Sequence, residues 1–321
     1  MSCLQYLFEQ KESINNLLQE LEIGKQLPLY YSVDIRDAGF KLSVVDTNLF
    51  PSGFNNLSGL DLNRSQPILR ESILELVPNT KRILLVIENH TRNTWYLENV
   101  YVIQQMLIES GFQVVVSSNI TDLLEANCHS VRLMSQNAHE LVVFDLSKCI
   151  SDMKMGIQHF DFVFLNNDLI SGIPNEFNDI SIPIYPSPKL GWHGRMKSQH
   201  FSLANSLIDS ILGKLHLDPW CFSSLFKAVS DVDIHLESDR QLLANEASVL
   251  IQSIQEKYDQ YGIKEKPFVF LKADSGTYGM GVQPIEDPQN LLNINRKGRN
   301  KLAVGKNSTP ITNYILQEGV P

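Results

Sequence analysis

The chain has 321 residues, 43% of them apolar, with 27 Lys and Arg against 36 Asp and Glu for a net charge of -9. That size and apolar content suffice for a substantial core shared between two domains, and the acidic balance excludes broad electrostatic attraction to nucleic acid or an anionic membrane. No window approaches the roughly 18 consecutive apolar residues of a spanning helix, and Glu9, Lys11 and Glu12 interrupt any apolar leader, so the sequence reads as cytoplasmic. An opening helix places Leu4, Leu7, Phe8, Ile14, Leu17, Leu18 and Leu21 on one face.

Apolar runs at residues 41–46, 82–87, 113–117, 141–145 and 161–165, rich in Val, Ile and Phe, predict buried strands. Between them, residues 95–110 carry Val102, Ile103, Met106 and Leu107 at helical spacing with Gly111 as the stop. Alternating strands and helices predict a mostly parallel α/β sheet. Residues 182–195, dense in Pro, Gly and aromatic side chains, mark a domain edge, dividing the chain into an α/β domain with its leading helix at 1–195 and a second domain at 196–321. The second opens with helices at 196–215 and 240–261. It continues with a strand at 267–272, a glycine-rich loop at 273–281, a returning strand at 282–285, a basic loop and a last strand at 313–317. That last apolar strand has no visible sheet partner in the sequence, which predicts an uncovered edge and a chain truncated at its C-terminus.

Cys3, Cys128, Cys149 and Cys221 are scattered, with no Cys-x-x-Cys pair and no His cluster at zinc spacing, and read as reduced structural thiols. Lys272-Ala273-Asp274-Ser275-Gly276-Thr277-Tyr278-Gly279-Met280-Gly281 sets a lysine at a strand end before three glycines. Glycines of this spacing either satisfy a tight hairpin or let backbone N–H groups approach phosphate oxygens. The lysine favours the second, because it can place a point charge on a phosphate while the loop covers the nucleotide. Neither the Walker A order nor the dinucleotide order of glycines is present.

The segment 272–281 resembles the ATP-grasp loop of the proteobacterial glutamate–cysteine ligases known from iron- and sulfur-oxidising bacteria. Asp46-Thr47-Asn48-Leu49-Phe50-Pro51-Ser52-Gly53-Phe54-Asn55-Asn56, Asn295-Arg296-Lys297-Gly298-Arg299-Asn300-Lys301 and Gln317-Glu318-Gly319-Val320 are similar to segments of that family in the same order. The resemblance implies an α/β, ATP-grasp-like fold: a parallel α/β pre-ATP-grasp domain, then a partial α+β ATP-grasp domain. It also implies ATP- and Mg2+-dependent joining of glutamate, through an acyl phosphate on its side-chain carboxylate, to the amine of cysteine. The product is γ-glutamylcysteine, the first intermediate of glutathione biosynthesis. Members of that family run on beyond the position of Pro321, and the missing part is expected to hold the magnesium, so no metal ligand is assigned here. That leaves two alternatives, an inactive ATP- or amino-acid-binding fragment, alone or completed by a partner chain, and an ATP-grasp ligase with another acceptor amine.

By that resemblance Lys272 is the phosphate lysine, Ser275, Gly276, Thr277, Tyr278, Gly279 and Gly281 cover the nucleotide, and Gln317, Glu318 and Val320 form the adenine and ribose hinge. Arg296 and Arg299 either neutralise transferring phosphate or belong to a solvated loop. For substrate the candidates are Arg36, Lys41, Asp46, Asn48, Asn55 and Asn56 in one cluster and Glu88, Arg92 and Asn93 in another, since the C-terminal ends of α/β strands bind ligands and the same residues also suit turns and caps. His90, His193 and His200 are candidates for the base that deprotonates the cysteine amine.

Overall fold

The computed structural model describes residues 8–25, 27–125, 128–275, 282–305 and 310–321. The chain separates into two compact units: Leu27–Ser32 with Asn48–Gly191, the central unit, and Met1–Gln26 with Val33–Thr47 and Trp192–Pro321, the C-terminal unit. Among the described residues no helix is long and apolar enough to cross a membrane.

The central unit is built on six strands, β3 Arg82–Ile87, β4 Gln113–Ser118, β5 Ser130–Met134, β6 Glu140–Asp145, β7 Phe162–Asn166 and β8 Ile184–Tyr185, in the order β5-β6-β4-β3-β7-β8. All neighbours are parallel except the edge strand β5, which runs antiparallel to β6. Ile83, Leu84, Leu85, Phe162 and Val163 are fully shielded because helices cover both faces, which is why these strands read as unbroken apolar runs. The helices are α2 Gly59–Leu76, α3 Thr94–Glu109 and α4 Leu146–Lys154. Each starts on a polar side chain that accepts an otherwise orphaned N–H: Ser58 from Asp61, Asn93 from Tyr96 and Asp145 from Lys148.

In the C-terminal unit, β1 Ser32–Asp37 and β2 Leu42–Asn48 form a two-stranded sheet around a tight turn in which Ala38 N–H donates to the Lys41 carbonyl, 2.9 Å. Four antiparallel strands, β9 Phe226–Val229, β10 Val269–Ala273, β11 Gln283–Ile285 and β12 Tyr314–Glu318, are ordered β11-β10-β12-β9. The long helix α6 Glu237–Tyr261 buries Leu243, Ala247, Leu250, Ile254 and Tyr258 in one core with Val269, Leu271, Tyr314 and Leu316 of the sheet. It ends at Gly262, whose φ of +66° closes the last turn. The remaining helices are α1 Lys11–Glu22, α5 Lys197–Lys214 and α7 Arg296–Ala303.

Three sequence-based expectations change here. Residues 41–46 do not join the parallel sheet; they belong to β2 and group with the C-terminal unit, whereas the sequence kept 1–195 together. The basic stretch after β11 is the helix α7, started by Asn295, whose side chain accepts from Gly298 N–H at 2.8 Å, so its charges hid a regular element. The last strand is not an uncovered edge: β12 lies between β10 and β9, and the partner missed in the sequence is the four-residue β9.

Candidate functional site

On β10 the residues facing the α6 core are Val269, Leu271 and Ala273, so Phe270 and Lys272 point to the opposite face, and Gln317 of β12 joins them there. Lys272 Nζ donates to Gln317 Oε1 at 2.7 Å and lies 3.4 Å from the Val45 carbonyl of β2. Burial pulls the Lys272 pKa down, and Asp46 and Asp34 pull it partly back. Because a lysine only donates, the Gln317 amide must turn its oxygen to it, leaving Nε2 as the outward group. Gln317 is 1% exposed, and that Nε2 finds no acceptor.

The segment leading into α5 brings three more polar groups to Asp46 and Thr47 at the end of β2. Arg195 and Lys197 lie over the ring of the buried Trp192, 4.6 and 4.3 Å from its centroid. Lys197 is pushed down to about 8, mainly by burial, with Asp46 opposing and Lys272 adding to the shift. Arg195 Nη2–H donates to Thr47 Oγ1. Thr47 Oγ1 also lies 3.1 Å from His200 Nε2, a hydrogen bond whose direction follows the His200 tautomer. Burial and the Arg195 charge both lower the His200 pKa, which favours the neutral ring.

Lys272, Arg195 and Lys197 thus share one electrostatic partner, the Asp46 carboxylate. The buried polar atoms of this cluster that lack a partner are Gln317 Nε2, Arg195 Nη1 and Trp192 Nε1, and all three are donors. A buried donor without an acceptor costs about 1–3 kcal/mol, and a ligand rich in acceptor oxygens and negative charge would satisfy these three groups. A nucleotide triphosphate has that character. Among the described residues no group of three or more His, Cys, Asp or Glu side chains could hold a metal ion.

The central unit carries a second polar cluster where its strand order reverses. From β3 the chain adds β4 and β6 on one side and β7 and β8 on the other, so the C-terminal ends of β3 and β7 stand at the switch point where open α/β sheets place ligands. Glu88, 8% exposed, pairs with His90 Nε2 at 2.6 Å and accepts from Asp168 N–H at 3.4 Å. Tyr96 binds the two loops together, its hydroxyl accepting from Glu88 N–H at 2.9 Å and donating to the Asn166 carbonyl at 3.3 Å. Asn166 Nδ2 also donates to the Pro51 carbonyl, 2.9 Å, which ties in the 48–56 segment.

A family model for GshA, glutamate–cysteine ligase, matches residues 5–321. The chain belongs to the glutamate–cysteine ligase family. It is accordingly a ligase enzyme. A crystal structure from Methylobacillus flagellatus KT, carrying the provisional name gamma-glutamylcysteine synthetase, is similar over 98% of this chain and 73% of that one, with 32% identity and a TM-score of 0.84. D-alanyl-alanine synthetase A from Vibrio cholerae O1 biovar eltor overlaps 75% of this chain and 60% of its own at 12% identity, and its TM-score of 0.39 is too low to bear on fold or function. No curated protein matches the chain significantly.

For this glutamate–cysteine ligase family member, Lys272, Asp46 and Gln317 of the predicted residues come together in one cluster. Gly276, Thr277, Tyr278, Gly279 and Gly281 lie outside the described residues, and Ser275 is exposed at their edge. Glu318 and Lys41 meet each other in the interior, while Val320 is buried and Arg36 is exposed on β1. Arg296 is exposed on α7, and Arg299 donates from Nη1 to the Ile294 carbonyl. In the central unit Asn48 accepts from Phe50 N–H, Asn55 donates to Asn56, Asn93 caps α3 and Arg92 is exposed. Of the histidines, His193 is exposed, His90 is paired with Glu88 and His200 is engaged by Thr47. Arg195, Lys197 and Trp192 were missed as site residues. Their one sequence signal was two cations beside a tryptophan in an irregular segment, which has no period to read. Cys128, Cys149 and Cys221 are free thiols, and Cys3 lies outside the described residues.

Proposed function

We propose that the protein forms γ-glutamylcysteine from glutamate and cysteine at the expense of ATP, as an ATP-grasp-like enzyme of the cytoplasm that supplies glutathione biosynthesis. The observation that carries the nucleotide half of this reading is the cation-rich cluster of Lys272, Arg195 and Lys197 with the unpartnered donors Gln317 Nε2, Arg195 Nη1 and Trp192 Nε1. Its charges neutralise phosphate oxygens as the γ-phosphoryl group passes to the glutamate side-chain carboxylate and ADP leaves. The cysteine amine then attacks the acyl phosphate carbonyl, loses a proton, and inorganic phosphate departs.

Magnesium, which the family generally requires, is carried to such sites largely by the nucleotide's own phosphates. Among the described residues no group of three or more His, Cys, Asp or Glu is gathered for it, and no step is assigned to it. The amino-acid half is assigned to the switch point after β3 and β7, where Glu88 suits an ammonium group and Arg92 and Asn93 stand on the same loop. The hinge role of Gln317, Glu318 and Val320 is a backbone one at the end of β12, since the Gln317 side chain is engaged by Lys272 and the Glu318 carboxylate by Lys41.

The experiment is ADP release by the purified chain with ATP, magnesium, glutamate and cysteine, with the product identified by mass spectrometry, for wild type and Lys272→Ala. Expected is γ-glutamylcysteine from the wild type and a loss of about 10²–10³-fold in kcat/KM for ATP in the variant. Product with another amine but none with cysteine would point to a different acceptor. ATP binding without turnover would leave a nucleotide-binding protein.

A further inference from the structure

We propose that Asp274 is a positioning residue for nucleotide binding: it fixes the start of α5, and with it Arg195 and Lys197, to the strand end that carries Lys272. Asp274 stands two residues past Lys272 and is 3% exposed. Its Oδ1 accepts from Ser198 N–H at 2.7 Å and its Oδ2 from the Ser198 hydroxyl at 2.6 Å. Its carbonyl accepts from Lys197 N–H at 2.7 Å, and its own N–H donates to the Asn313 carbonyl at 2.9 Å. One buried residue therefore joins the end of β10, the first turn of α5 and the approach to β12.

A helix ordinarily finds its N-terminal acceptor next to it in the chain. At α5 the cap position is Met196, which has no side-chain acceptor, and the acceptor comes from 76 residues away. A local Ser or Asp at position 196 would satisfy the helix equally well. What only the distant carboxylate adds is a fixed spacing between Lys272 and the Arg195-Met196-Lys197 segment. Three cations sharing one carboxylate still repel one another, so in the absence of ligand a backbone contact helps to fix their separation. A displacement of about 1 Å is enough to cost such a site much of its activity. Asp274 imposes that separation without reaching the ligand, since both its carboxylate oxygens are engaged by Ser198.

The inference rests on ATP as the ligand of the cation cluster, and its test keeps the two apart. Binding of ATP with magnesium is measured by calorimetry on the full chain for wild type, Asp274→Ala, Asp274→Asn and Ser198→Ala, alongside thermal melts and the KM and kcat for each substrate. Asp274→Asn keeps an oxygen for Ser198 N–H and an amide for its hydroxyl, whereas Asp274→Ala keeps neither. Expected is a tenfold or larger rise in Kd and KM for ATP in Asp274→Ala, with the KM for glutamate and cysteine unchanged. Asp274→Asn should return to within threefold of wild type, and Ser198→Ala, which loses only the hydroxyl bond, should fall between. If Asp274→Ala does not fold, the same order of ATP affinities in the other two variants decides. Equal ATP affinity in all folded variants overturns the positioning role while leaving the ATP site standing, as does a loss shared equally by all substrates. A wild-type chain that does not bind ATP overturns both.

Discussion

Lys41 and Glu318, 277 positions apart, meet in a 2.8 Å salt bridge with both side chains closed off from solvent. Trp220 Nε1 and Leu225 N–H donate to the same carboxylate at 3.1 and 3.0 Å, and the lysine lies 4.2 Å from the centroid of the Trp220 ring. Burial lowers the Lys41 pKa and the attraction of Glu318 works against it. The pair fixes the β1–β2 turn to the end of β12. Lys41→Met leaves a buried carboxylate without its counter-charge and is expected to destabilise the protein by about 3–5 kcal/mol, whereas the Lys41→Met/Glu318→Gln double variant should lose clearly less. Urea titrations of the two decide this, and equal losses would mean that the charge pairing is not what stabilises the contact.

Gly319 follows directly and has no room for a side chain. A Cβ there would come within 2.3 Å of the Phe268 ring, whose residue also accepts from Gly319 N–H at 2.8 Å. Gly319→Ala is expected to cost about 1–3 kcal/mol through overpacking. Adding Phe268→Ala should return part of that loss, so a thermal melt of the double variant falling at or above that of Gly319→Ala is the outcome to look for.

Elements whose burial is continuous were legible in the sequence. β3 was read at its observed limits because all of Ile83 to Ile87 are buried, and α6 was read to its end at Tyr261, from three residues inside its start, because its inward residues keep helical spacing. β9 was invisible: Lys227 and Ala228 are exposed, and its pairing with β12 joins positions far apart in sequence. α7 was hidden because Leu302 is its one buried residue and the rest is four cations, Asn300, Gly298 and Ala303. The cation cluster was half legible. Lys272 announced itself beside glycines, but Arg195 and Lys197 reach it through the capping of α5 by Asp274, a tertiary contact with no local signature.

Asn99 supports the 48–56 segment in the central unit. It is 1% exposed on α3, and its Oδ1 accepts from both Gly53 N–H, at 2.8 Å, and Phe54 N–H, at 2.9 Å. Asn99→Leu preserves bulk but strands both donors, at about 1–3 kcal/mol each. The variant should melt at a lower temperature and show a raised KM for glutamate with little change in that for ATP. A lowered melting point with all KM values unchanged would remove the 48–56 segment from the substrate site.

Lys197 gives the site a pH dependence whose direction differs between folding and binding. Its pKa is pushed down from 10.5 to about 8, mainly by burial; the Lys272 and Arg195 charges push the same way and Asp46 and Asp274 oppose. The cost of holding it charged in the folded protein is therefore fully present below pH 8 and is relieved as the pH rises toward 10.5, because there the unfolded chain retains a proton that the folded chain has released. A bound polyphosphate reverses the preference by favouring the ammonium form. ATP affinity should consequently fall as pH rises above about 8, with uptake of about half a proton per site near that pH. Lys272 is lowered as well, and His200 is lowered from a value already below this range, so Lys272 adds to the same trend and His200 does not. Calorimetry of ATP binding at pH 8 in two buffers of different ionisation enthalpy measures the uptake directly, with Lys197→Met as control. Uptake that persists unchanged in Lys197→Met would assign the proton to Lys272 instead, and absence of uptake in the wild type would mean that Lys197 does not face the phosphates.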